Sequence, residues 1–123
     1  MANYYEIWRT NYVHVNKDDL KEIKEIFPCA ILAIDEQGRV AFGGVEDQPY
    51  HITTEDDETY DLLDMIPAAM KEGEILIFQS TGWEKLNYLT AFQIVLDSNG
   101  ETLARMDFQD VQATEYGTNP AKY

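Results

Sequence analysis

The chain has 123 residues, of which 23 are Asp or Glu and 9 are Lys or Arg, for a formal net charge of −14. That length builds one domain and leaves no room for two. With 45% hydrophobic and 12% aromatic residues the chain has enough apolar surface for a packed core, which excludes general disorder. The charge repels phosphates and so argues against direct contact with nucleic acid or anionic lipid; it favours a basic partner.

No apolar run approaches the roughly 18 residues of a membrane span, and the opening MANYYEIWRT lacks the form of a signal peptide. The single cysteine, Cys29, excludes an intramolecular disulfide framework and a Cys-rich zinc site. These features predict a cytoplasmic protein. Cys29 itself is expected as a small buried core residue, and no Lys, Arg or His adjoins it in sequence to activate the thiol.

In chain order, the Tyr-, Trp-, Val- and Ile-rich segment from Tyr4 to Val15 predicts a strand bent near Thr10 and Asn11. Asn16 then reads as a helix N-cap, followed by Asp18 and Asp19 at the positive end of the helix dipole. Leu20, Ile23, Ile26 and Phe27 share an apolar face, and Pro28 stops the helix. Its charges are nearly balanced and read as a solvated face. Cys29 to Ile34 and Arg39 to Phe42 predict a hairpin around Gly38, with Gly43 and Gly44 ending its second strand.

Residues 45–58 predict a long exposed acidic loop with a short strand around Tyr50 to Thr53, and Thr59 to Met70 predicts a second helix, interrupted or kinked at Pro67. Gly73 closes that segment. Glu74 to Ser80 predicts a strand, Thr81 to Leu86 a connection, and Tyr88 to Asp97 a longer strand. Asn99-Gly100 is the strongest hairpin signal in the chain, and Glu101 to Phe108 completes that hairpin. The order predicts an α+β fold: a mostly antiparallel sheet of five to six strands with two helices on one face. Its first six elements follow the split βαβ, or ferredoxin-like, order. One domain is expected over 1–116, with 117–123 as a frayed tail.

The sequence carries no catalytic signature. Only His14 and His51 could serve as a base, and no G-x-S-x-G elbow occurs. His14 reads as a structural or surface residue. His51 lies in the acidic loop and reads as an ordinary solvated histidine, with a pH-sensitive loop as the lesser alternative. Glu55, Asp56, Asp57 and Glu58 are contiguous, whereas a calcium loop needs acids at alternating positions and a glycine at the sixth. Neither a metal nor a cofactor is expected.

Charge position is more informative. Between Arg39 and Lys71 there is no Lys or Arg, and those 31 residues hold eight acids: Glu46, Asp47, Glu55, Asp56, Asp57, Glu58, Asp61 and Asp64. With Tyr50 and Tyr60 among them as anchors, they form the candidate partner-binding surface. The alternative is a solubilising loop with no partner.

Arg9-Thr10-Asn11-Tyr12, the strand-turn-strand from Leu32 to Phe42, Gly82-Trp83-Glu84-Lys85-Leu86-Asn87-Tyr88-Leu89 and Ser98-Asn99-Gly100-Glu101 form a pattern spanning most of the chain. It resembles a group of small acidic proteins carried by phages, plasmids and other mobile elements. The resemblance implies accessory work for such an element, where small acidic proteins often block host defence nucleases, and it supplies no catalytic residue. Asn11, Glu84 and Lys85 match the pattern and read as turn and capping residues.

The expectation is a non-enzymatic inhibitor of anti-restriction or anti-CRISPR type, whose carboxylates replace phosphates in the basic groove of a nucleic-acid-binding protein. One alternative is an immunity protein that neutralises a basic toxin. Another is a small enzyme or ligand-binding domain with an aromatic cleft built from Trp8, Trp83 and tyrosines.

Overall fold

The computed structural model describes residues 5–46, 49–84 and 88–107. Ten elements follow one another: β1 (Tyr5–Thr10), α1 (Lys17–Ile26), β2 (Ile31–Ile34), β3 (Val40–Glu46), β4 (His51–Thr53), β5 (Thr59–Asp61), α2 (Leu62–Ala69), β6 (Ile75–Glu84), β7 (Tyr88–Asp97) and β8 (Thr102–Asp107). Six strands form one antiparallel sheet in the order β2-β3-β1-β6-β7-β8, and β4 pairs with β5 in a separate hairpin. The α+β class and the antiparallel sheet with two helices are as the sequence predicts.

Strand alternation divides the sheet into two faces. Trp8, Phe42, Leu76, Phe78, Ile94 and Leu96 point to one face and share a buried core with Ile23 of α1, Phe27 at its C-cap, and Leu62, Ile66 and Ala69 of α2. The centre of this core is aromatic: Trp8 stacks on Phe78 with centroids 5.7 Å apart, and Phe78 meets Phe92 at the same distance. The opposite face keeps Ile7, Ile31, Val45, Ile75 and Met106 between 39% and 64% exposed.

Asn16 caps α1 as expected, its side chain accepting from the Asp19 N–H at 2.8 Å. After β1 ends at Thr10, the Asn11 side chain stands in for another strand residue: it accepts from Ile77 N–H at 2.7 Å and donates to Ile75 C=O at 2.9 Å. His14 follows, and its backbone N–H and ring Nδ1 both meet the Glu74 carboxylate, at 2.8 and 2.7 Å. Burial alone pulls the Glu74 pKa up, but the hydrogen bonds and charge of His14, helped by Lys71, hold it below the ordinary carboxylate value.

Five local expectations are corrected. Cys29 is exposed, because Phe27 takes the last core position of the helix segment and Pro28 and Cys29 lie in the exposed turn that follows it, before Ala30 packs against the core again. Gly43 and Gly44 lie inside β3 rather than ending it, and Gly44 is the buried cross-strand neighbour of Trp8. The acidic stretch is no long loop, since residues 51–61 form the β4–β5 hairpin. The second helix starts at Leu62, not Thr59, because Thr59 to Asp61 pair with β4 and Asp61 caps the helix. It continues through Pro67 to Ala69, giving up one backbone bond only two residues from its end. Finally, residues 81–84 extend β6, with 81–83 paired to both β1 and β7 and Glu84 paired to Tyr88 of β7. The expected frayed tail at 117–123 and the last two residues of the expected connection, Lys85 and Leu86, lie outside the described residues.

Candidate functional site

The acidic block is organised by the β4–β5 hairpin. Its three cross-strand pairs run from His51–Asp61 to Thr53–Thr59. The turn closes through Thr54, whose N–H donates to Glu58 C=O at 2.8 Å and whose C=O accepts from Asp57 N–H at 3.0 Å. Asp57 sits at φ +62°, a left-handed conformation that Asp tolerates better than most residues. Glu55, Asp56, Asp57 and Glu58 are all exposed, so the turn presents four carboxylates at one projecting corner.

The other candidate residues divide by environment. Asp61 is half-buried and caps α2, its carboxylate accepting from Leu63 N–H at 2.8 Å. Asp64 is exposed in the first turn of α2, beside the cap. Tyr50 is turned inward: its ring lies 4.8 Å from Phe78 and 6.0 Å from Trp8 by centroids. Burial, then the charges of Glu6 and Asp61, raise its phenol pKa, against a lowering by Arg105. Tyr60 faces the acids instead, and its hydroxyl donates to Glu58 at 2.6 Å. Glu46 ends β3 with its side chain outside the described set, and Asp47 lies outside the described residues altogether.

The structure brings in one acid that the sequence gave no reason to choose. The Tyr60 phenol pKa is raised by the Glu58 hydrogen bond and charge first, then by burial, and then by the charges of Glu22 and Asp56. Glu22 belongs to α1, whose balanced composition masked it; the packing of α1 against α2 brings its carboxylate into the field of the hairpin. Glu22 thus lies within electrostatic reach of Tyr60, a residue 38 positions further along the chain.

Other chemistry is poorly provided for. No group of three or more His, Cys, Asp or Glu has metal-binding geometry among the described residues. Trp8 is 2% exposed and belongs to the core, so it is unavailable to an aromatic cleft, and the Trp83 side chain lies outside the described set. His14 is engaged with Glu74, and His51 stacks edge-on with Tyr50 at 5.1 Å. No helix among the described residues is long and apolar enough to cross a membrane. No protein family, curated protein or solved structure matches the chain.

Proposed function

We propose that this protein is a non-enzymatic inhibitor whose acidic hairpin docks into the basic, nucleic-acid-binding surface of a host defence enzyme. The observation that carries the reading is the β4–β5 turn: four consecutive exposed carboxylates on a short hydrogen-bonded hairpin, seated on α2 through the Leu62 N–H to Tyr50 C=O bond of 2.8 Å. A fixed cluster of negative charge can take the place of backbone phosphates, giving affinity without base readout. Asp64 and Glu22 widen the negative field around it. The immunity-protein reading would use the same corner against a basic toxin and differs only in the enzyme neutralised.

With the β4–β5 hairpin set aside, we also propose a ferredoxin-like arrangement for β1, α1, β2, β3, α2 and β6, on the ground that β1 lies between β3 and β6 in the sheet. The function is tested by DNA-cleavage assays on a panel comprising a restriction endonuclease, a CRISPR effector complex and a basic toxin nuclease. Salt-sensitive inhibition of a panel member supports the proposal, and the identity of that member separates inhibitor from immunity protein. Cleavage by every member unchanged at low salt counts against it.

A further inference from the structure

The face of the sheet away from the helices carries a row of residues in register across all six strands: Ile31, Gly43, Arg9, Gln79, Gln93 and Met106. Beside it runs a second row containing Ile7 and Ala91. Between the two rows, over β1, β6, β7 and β8, lies a groove of about 630 Å³ with mostly apolar walls. That volume falls within the range of small-molecule sites, roughly 300–1,000 Å³.

Three polar side chains on the groove form a chain with a fixed direction. Arg9 Nε donates to Gln79 Oε1 at 3.0 Å, and Gln79 Nε2 donates to Gln93 Oε1 at 2.8 Å. Arginine has no acceptor, so Gln79 must turn its oxygen to Arg9 and its NH₂ to Gln93, which must accept in turn. The interior acceptors are consumed. What remains at both ends is donors: the two terminal guanidinium nitrogens of Arg9 and the Gln93 NH₂. Arg9 forms no ion pair with any described residue, in a chain of net charge −14. Asp107 also borders the groove, but it shares the Phe92 face and lies 3.4 Å from Arg105.

We propose that this groove binds a small amphiphilic carboxylate, its head on the Arg9 guanidinium and its apolar body between Ile7, Ala91 and Met106. One planar cation with two free NH₂ groups matches a monovalent carboxylate in fork geometry better than a doubly charged phosphate, which a single arginine would leave half neutralised. The apolar walls favour a hydrocarbon body over a free polar anion. The site is on the opposite side of the sheet from the helices and stands independently of the acidic hairpin.

The test is calorimetric titration of the full chain with decanoate, decanol and acetate. Decanoate should bind about tenfold or more tighter than decanol, which has the tail without the charge, as a charge-assisted hydrogen bond predicts, and tighter than acetate by a similar margin. Arg9→Met should reduce the decanoate-to-decanol ratio to about one without moving the thermal midpoint, since Arg9 is exposed. Gln93→Glu, which places a carboxylate at the other end of the row, should weaken decanoate and spare decanol. Equal binding of decanoate and decanol, a ratio unchanged in Arg9→Met, or no heat with decanoate at millimolar concentration would overturn the assignment.

Discussion

The hydroxyl of Tyr60 donates to the carboxylate of Glu58 at 2.6 Å, tying the acidic turn back onto the strand that leads into α2. The bond exists only while the phenol keeps its proton, and Glu58, Glu22 and Asp56 all oppose its loss. The phenol should therefore titrate above the ordinary tyrosine value near pH 10. A group whose folded pKa is raised stabilises the fold below its unfolded pKa and ceases to do so as pH rises through the folded value. Ultraviolet titration of wild type against Tyr60→Phe isolates this phenol. In Glu58→Gln its midpoint should fall toward that of free tyrosine; an unmoved midpoint would sever Tyr60 from the acidic turn.

Acid should act on a different part of the molecule. The pKa of Asp35 is pulled up by burial but pushed down further by the Arg39 backbone and side-chain bonds, the Gln37 N–H bond and the Arg39 charge, for a net lowering. Glu74 is lowered through His14. Lowered carboxylates stabilise above their unfolded pKa, near 4, and that contribution is lost as pH falls through the folded values. Thermal midpoints measured from pH 6 to pH 2 should thus drop below about pH 4, and Glu74→Gln should flatten the drop while lowering the plateau.

Asp61 separates capping from charge. Asp61→Asn preserves an N-cap acceptor and should leave stability nearly unchanged, whereas Asp61→Ala should cost about 1 kcal/mol in urea unfolding. Equal losses in the two would mean that the charge, not the cap, holds the start of α2.

The pairing of Trp8 with Gly44 sets the tolerance of the core. Gly44→Val adds volume beside a buried indole and should cost about 1–3 kcal/mol. Phe78→Ala, which opens a cavity under Trp8 and Tyr50, should cost about 3–5 kcal/mol. Urea denaturation measures both, and a neutral Gly44→Val would show spare room at that position.

These cases also show what the sequence made legible. Helix α1 was readable because its cap, apolar spacing and proline stop all agree, and the β7–β8 hairpin because Asn99-Gly100 has few other uses. Gly43 and Gly44 misled because a glycine that can end a strand can also sit inside one, and only the cross-strand register distinguishes the two. The β4–β5 hairpin was half hidden: each strand is only three residues long, too short for alternation to register. Of the candidate surface, Glu55 to Glu58 were readable from contiguity. Glu22 was not, since its influence on Tyr60 depends on the packing of α1 against α2. The Arg9–Gln79–Gln93 row was invisible because its members are brought together by cross-strand register, with Arg9 and Gln79 alone seventy residues apart in sequence.

The central claim is that the location of negative charge, not its total, makes the docking surface. Two double variants test it in the DNA-cleavage assay. Glu55→Lys with Asp56→Lys reverses the hairpin, and Glu72→Lys with Glu101→Lys reverses two exposed acids elsewhere; each moves the net charge from −14 to −10. The hairpin variant should lose inhibition by tenfold or more, while the control variant should retain it within about twofold, both measured at about 0.1 M salt, where the Debye length is near 10 Å. Equal loss in both variants, or inhibition undiminished by the hairpin reversal, would contradict the account.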